Sequence, residues 1–268
     1  VKRVLTVAGS DSGGGAGIEA DLKTFAALGV YGTVALTAVT AQNTCGVRAV
    51  HYLPPEMVRA QVEAVLEDIG TDAAKTGMLG GKEIVEAVAE VLREARVPNL
   101  VVDPVMVAKS GAPLLEPEAI TRLKERLLPL ARVVTPNVPE LAVLTGSQIG
   151  GEEDLRAAAA LLWEQSGVQY VLAKGGHLTG TGSTDWLYDG REFTPFAGPR
   201  LDGRNTHGTG CTLSAALAAY LALGLEVPKA AERAKELVTR AIAGGLALGR
   251  GCGPVNPLAA PAGVGGER

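Results

Sequence analysis

The decisive stretch is Asn205-Thr206-His207-Gly208-Thr209-Gly210-Cys211-Thr212-Leu213-Ser214, a glycine-punctuated loop running into an alanine- and leucine-rich helix over residues 210–223. Glycines let backbone N–H groups turn inward with no side chain in the way. The first N–H groups of a helix have no partner within it, and the helix dipole is positive there. Such an end binds an anion, most naturally a phosphoryl group. Gly208, Thr209, Gly210 and Cys211 would form the cradle, with a substrate nucleophile lying beside Cys211. The competing reading is a tight glycine turn with Cys211 as a small core residue, and the rest of the chain weighs against it.

Outward from that loop, strand patterns alternate with helix patterns. Val1–Ala8 reads as a strand stopped by Gly9. A glycine-rich loop (9–17) follows, then a helix with Ile18, Leu22, Phe25 and Leu28 at helical spacing, ended by Gly29. Tyr31–Val39 reads as a second strand, with the polar run Thr40–Thr44 at its end. Further strands are expected at 72–75, 99–103, 132–135 and 169–174, and helices from Pro54-Pro55 and over 82–96, 117–128, 152–166 and 228–248. Pro136–Glu140 starts a short helix. Asp189-Gly190, between 185–188 and 192–194, is a strong hairpin signal. The tail from Gly249, rich in Gly, Pro and Ala, is expected to be poorly ordered, with 258–268 a flexible tail beyond a single domain of 1–257.

This alternation predicts an α/β fold: a mostly parallel sheet with helices on both faces and an antiparallel edge hairpin. In such sheets ligands bind outside the C-terminal strand ends. The polar clusters at 9–17, 40–44, 76–78, 103–105, 135–140 and 174–176 all fall at such ends.

The chain has 268 residues, 47% apolar and 20% charged, enough to bury a large core, and aromatics at only 4% make that core aliphatic. A net charge of −4 without a basic block gives no support to nucleic-acid or membrane partners. Three cysteines and three histidines, all scattered, form neither a disulfide framework nor a zinc pattern. The opening strand-like run carries no signal-peptide pattern, and no apolar segment is long enough for a bilayer, so a reducing cytoplasm is expected.

Neither glycine-rich loop has the P-loop pattern, since Gly81-Lys82 is followed by Glu83. Gly15-x-Gly17-x-x-Ala20 has the strand-to-helix setting of a dinucleotide fingerprint. The ribose-binding acid is missing, because no Asp or Glu occurs between Asp21 and Glu56.

Seven motifs carry a family resemblance: AGSDSGGGAGIEADLKTFAALGVYG (8–32), TAVTAQNT (37–44), KTGML (75–79), VVDPVMVAKSG (101–111), TPNVPE (135–140), KGGH (174–177) and NTHGTGCTLSAALA (205–218). Over roughly 1–257 the chain resembles the ribokinase-like kinases, and within them the hydroxymethylpyrimidine/phosphomethylpyrimidine kinases of thiamin biosynthesis. Ser10 and Ser12 stand where many relatives have threonine and proline.

The resemblance implies ATP- and Mg²⁺-dependent phosphorylation of a hydroxymethyl group on an aminopyrimidine, then of its monophosphate, by a homodimer. Such chemistry needs positioning and charge stabilisation. The cradle would stabilise the migrating phosphoryl. Cys211 takes a position where many ribokinase-like relatives carry an aspartate base. A thiol at a helix N-terminus ionises more readily than in water, so Cys211 is a candidate base, against a purely steric role. Lys174 would reach the ATP phosphates, or else be a solvated strand-end lysine. Asn137 and Glu140 resemble the family's N-x-x-E motif for Mg²⁺ and its waters, or else are an ordinary helix start. Asp103 is a further candidate for the metal or phosphate charge. For the pyrimidine, the family points to Gln42 and Asp21, with Gly9, Met78 and Val105 giving backbone approach and apolar walls. Asp21 read from pattern alone is a helix-surface acid. His207 would orient the loop.

Three rivals stand beside this reading: a pyridoxal kinase of the same superfamily, a non-catalytic pyrimidine- or nucleotide-binding protein, and a nicotinamide oxidoreductase.

Overall fold

The computed structural model describes residues 1–107, 111, 114–176, 178, 183–201 and 203–259. The first strand, β1 (Arg3–Ala8), leads through the glycine loop into α1 (Gly17–Ala27) and then β2 (Tyr31–Leu36). A hairpin of β3 (Ala38–Asn43) and β4 (Gly46–Tyr52) precedes α2 (Pro55–Asp68), β5 (Ala73–Thr76), α3 (Lys82–Glu94) and β6 (Leu100–Val102). Next come α4 (Pro117–Arg122), β7 (Val133–Val134), α5 (Val138–Thr145), α6 (Glu152–Ser166) and β8 (Tyr170–Ala173). The chain closes with β9 (Asp185–Tyr188), β10 (Phe193–Phe196), α7 (Thr209–Ala222) and α8 (Val227–Ala243).

Among the described residues, the main sheet has eight strands in the order β10-β9-β8-β7-β6-β5-β1-β2. Pairings from β2 through to β8 are parallel, and β9 and β10 add the antiparallel edge. The central strands are short apolar runs because both faces are covered. Leu5, Val102 and Val134 face a core built with Val62 of α2, Val88 of α3 and Leu162 of α6. Their neighbours Val4, Val101 and Val133 face the opposite core, with Phe25 of α1, Leu217 of α7 and Leu237 of α8. The expected ribokinase-like α/β architecture is the one observed.

Four local expectations are corrected. The strand expected over 31–39 breaks at Thr37, whose N–H goes to Ala8 O and whose hydroxyl goes to Met78 O. Beyond it the chain leaves the main sheet, and the polar run 40–44 lies mostly in β3, paired antiparallel with β4. The helix expected over 117–128 is α-helical to Arg122 and then widens into a π-helical turn, Leu123–Leu127. The last helix stops at Ala243 rather than 248, because Gly244 and Gly245 follow and Gly245 lies against Asn205. Residues 249–259 are pinned: Cys252 N–H to Thr44 O, His207 N–H to Gly253 O and Val255 N–H to His207 O. The remaining tail, 260–268, lies outside the described residues.

Candidate active site

The C-terminal ends of β1, β5, β6, β7 and β8 share one edge of the sheet, and α7 begins there. From Thr212 to Ala222 every residue of α7 is buried, so its N-terminus is held rigidly. Gly208 caps it at φ 83°, and a Cβ there would lie 1.8 Å from Gly15 O. Both the left-handed backbone and the close approach require glycine. Thr209 and Thr212 N–H groups bond to Thr206 O and Gly208 O. Among the described residues the N–H groups of Gly210 and Cys211 have no acceptor, as a free helix start requires.

A charged cluster faces this start. Lys174 Nζ donates to Asp103 Oδ1 at 3.0 Å and lies 4.0 Å from Glu140 Oε2. Asp103 also accepts from the hydroxyls of Thr135 (3.1 Å) and Ser214 (3.2 Å). A Cβ on Gly210 would point at both, 3.5 Å from Lys174 Nζ and 3.7 Å from Asp103 Oδ2. Burial works to raise the Asp103 carboxyl, but Lys174 and Lys75 outweigh it and hold it below the usual range. Lys174 is therefore no solvated strand-end lysine: its neighbours keep it cationic against burial.

On the other side of the crevice, Gln42 projects from β3, with its side-chain amide 3.3 Å from His207 Nε2. Gly9 packs so closely on Met78 that a Cβ would sit 2.2 Å from Met78 Cε. Met78, Ala38 and Leu114, with Val50 and Val105, make a small apolar cluster there. Gly9, Met78 and Val105 thus meet in one apolar contact group, while Gln42 stands beside His207, the residue that leads into the cradle.

Three site expectations change. Asp21 is no surface acid, and its carboxylate is committed to partners inside the protein. It is fully buried, at 0% exposure like Lys75. Its oxygens accept from Lys75 Nζ (2.9 Å each) and Thr6 Oγ1 (2.7 Å). Asn137 is spent on a helix cap: its Oδ1 accepts Glu140 N–H while Glu140 Oε2 accepts Asn137 N–H, a reciprocal capping box. Both members of the pair adjoin Lys174, Asn137 as its backbone bridge partner and Glu140 through a side-chain oxygen 4.0 Å from Lys174 Nζ. Finally, Cys211 does not ionise easily. Burial pushes its thiol up to about 11, and the nearby Lys75 charge does not offset this.

Lys75, Thr135, Ser214 and Asp11 are the residues that sequence reasoning missed. Lys75 had a signal, a lone charge in the otherwise apolar strand pattern Ala73-Ala74-Lys75. Asp11 fills the first glycine loop with its own carboxylate, accepting N–H groups from Gly13 (2.8 Å), Gly15 (3.0 Å) and Ala16 (2.9 Å). Those amides are therefore not offered to a dinucleotide pyrophosphate, which removes the physical basis of the oxidoreductase reading.

A parallel sheet with its helix-start cradle, facing lysine and apolar recess defines the class: a ribokinase-like small-molecule kinase. Comparison with known proteins agrees. The profile of the family described as phosphomethylpyrimidine kinase matches residues 11–256, and the chain belongs to that family. It is 55% identical to the hydroxymethylpyrimidine/phosphomethylpyrimidine kinase of Streptomyces coelicolor, over 94% of this chain and 93% of that one. It is 54% identical to the thiamine biosynthesis bifunctional protein of Geobacter sulfurreducens, over 96% of this chain but 52%, about half, of that longer protein. Among solved structures, an ADP complex of Bacillus subtilis pyridoxal kinase superposes with a TM-score of 0.90 at 41% identity, covering 96% of this chain and 98% of that one.

Proposed function

We propose that this kinase phosphorylates the hydroxymethyl group of 4-amino-5-hydroxymethyl-2-methylpyrimidine and then the resulting monophosphate, with ATP as donor. The observation that carries this is the pair of free N–H groups on Gly210 and Cys211, on the helix start that faces Lys174; the ring recess is read as lying between the Gly9–Met78 contact and Gln42. The ring would sit in that recess and its hydroxymethyl oxygen beside Cys211. The cradle N–H groups and Lys174 hold the migrating phosphoryl as charge redistributes over its oxygens. Cys211 acts through its N–H and as a protonated thiol.

Magnesium fits the site as an ion carried with the nucleotide. Asp103 and Glu140, both buried, crowd around Lys174. Burial, with a push from Asp103 and against the pull of Lys174, raises Glu140 to about 7. An oxygen-seeking divalent ion held by these two carboxylates would relieve that crowding and neutralise phosphate charge. Among the described residues no group of three His, Cys, Asp or Glu forms a cage for a metal. Residues 1–257 would act as one kinase domain, as a cytoplasmic homodimer.

The test is product analysis after mixing the protein with ATP, Mg²⁺ and the hydroxymethylpyrimidine: mono- and diphosphate together support the reading. The likeness to a pyridoxal kinase favours a second one, phosphorylation of pyridoxal. Turnover of pyridoxal with no action on the pyrimidine monophosphate would favour it. Ligand binding without ATP consumption would leave a binding protein.

A further inference from the structure

We propose that His207 is a positioning residue. Held by Asp11, it locks the Gln42 amide with its oxygen toward the imidazole and its nitrogen toward Thr40, and so sets the hydrogen-bonding face Gln42 offers the substrate ring. The proposal rests on the reading that Gln42 meets that ring.

His207 Nε2 lies 2.8 Å from Asp11 Oδ2. Asp11 is a carboxylate: burial would raise it, but the hydrogen bonds from His207, Gly13 and Ala16 and the His207 charge hold it below the usual range. A carboxylate only accepts, so Nε2 carries the hydrogen whether the ring is neutral or charged. That hydrogen goes mainly to Asp11, and a protonated ring nitrogen has no lone pair to accept an amide hydrogen; the Gln42 atom 3.3 Å from the same Nε2 is therefore the amide oxygen, on the long arm of a shared hydrogen bond. Thr40 gives an independent count. Its hydroxyl donates to Ser10 O at 2.9 Å, and a carbonyl only accepts. Its one hydrogen is used there, so toward Gln42, at 3.5 Å, it can only accept and must meet the amide nitrogen. Amide orientation is assigned from such networks, and both neighbours assign the same one.

Locked this way, Gln42 keeps one N–H and one oxygen lone pair uncommitted. That pair matches an amidine edge, a ring nitrogen beside an exocyclic amine. An imidazole with no charge partner could offer either nitrogen state, and the amide would then turn. His207 touches no reacting atom; it acts through Gln42.

Two measurements test this. Long-range ¹H–¹⁵N NMR of histidine-labelled protein reads the tautomer directly; three histidines are present, and a His207→Phe spectrum assigns the resonance. Expected is a protonated Nε2 in the neutral ring; an Nδ1–H tautomer overturns the proposal without any variant having to fold. The second measurement is the ratio of kcat/KM for the aminopyrimidine to that for the analogue lacking the exocyclic amine. His207→Phe is expected to lower this ratio about tenfold, mainly through KM, the worth of roughly one oriented hydrogen bond. His207→Gln, which keeps an N–H donor, is expected to restore most of it. An equal fall for both substrates, leaving the ratio unchanged, marks a merely structural residue and overturns the proposal. No turnover of the aminopyrimidine by the unaltered protein would sink the functional reading instead, whatever the tautomer.

Discussion

Lys174 Nζ and Asp103 Oδ1 meet at 3.0 Å on the crevice floor, directly across from the Gly210 backbone. The pair does two jobs. It keeps a lysine charged in a buried place, and it sets that charge beside the cradle. Removing one partner strands the other. Lys174→Met is expected to abolish turnover and to destabilise the fold by about 3–5 kcal/mol, the cost of an uncompensated buried charge. Lys174→Met with Asp103→Asn is expected to recover most of the stability and none of the activity. Denaturant melts and steady-state rates on the two variants and the parent check this; stability unchanged in the single variant would refute it.

Two glycines two residues apart should fail differently. At Gly208 a methyl group would overlap Gly15 O and sit on a left-handed backbone. Gly208→Ala is therefore expected to lower the melting temperature and the activity together. At Gly210 the same methyl meets only ordinary contact distances, yet it fills the space where the phosphoryl would rest. Gly210→Ala should melt near the parent temperature and lose roughly 10²–10³ in kcat, the usual cost of spoiling such a donor site. Calorimetry and kinetics on the pair separate the two effects.

The cradle, Lys174 and the strand-end placement of the polar clusters were legible in the sequence because each is local: a glycine spacing, a cation after an apolar run. Asp11 and His207 were not, since their contact joins residues 196 positions apart and depends on two loops docking. The β3–β4 hairpin escaped because its turn, Thr44-Cys45, lacks the Asn-Gly or Asp-Gly signature that marks Asp189-Gly190. Asp21 was misjudged for a related reason. Helical spacing put it beside a core position, and only the buried Lys75 opposite makes its full burial tolerable.

That burial yields its own prediction. Asp21→Asn leaves Lys75 without its charge partner in a dry place, so stability should fall by about 3–5 kcal/mol. Because both Asp21 oxygens are committed to Lys75 and Thr6, KM for the pyrimidine in the folded fraction should stay close to that of the parent. A large rise in KM with stability intact would restore Asp21 to the substrate site.

Glu140 ties stability to pH. Its carboxyl is raised from 4.5 to about 7, chiefly by burial. Between those values the folded protein keeps a proton that the unfolded chain has released. The contribution of this group to stability is therefore full below about pH 4.5 and is lost as pH rises through 7. Glu140→Gln is neutral throughout and should remove that slope. The melting-temperature advantage of the variant over the parent, measured with a chelator present, is expected to grow from pH 5 to pH 8; a constant difference would refute the assignment.

Cys211 offers the sharpest test of how the proton leaves. With its thiol pushed up to about 11, almost none is ionised at neutral pH, and nucleophilic modification requires the thiolate. Alkylation of Cys211 by iodoacetamide should be slow at pH 8 and climb steadily toward pH 11, in contrast to the accessible Cys45. Cys211→Ser preserves the small side chain and the backbone N–H, so turnover should stay within about tenfold, far above the Gly210→Ala level set by loss of a cradle donor. A collapse of Cys211→Ser to that level, with its melting temperature intact, would show that the sulfur itself takes the proton and that the bound substrate lowers its affinity for one.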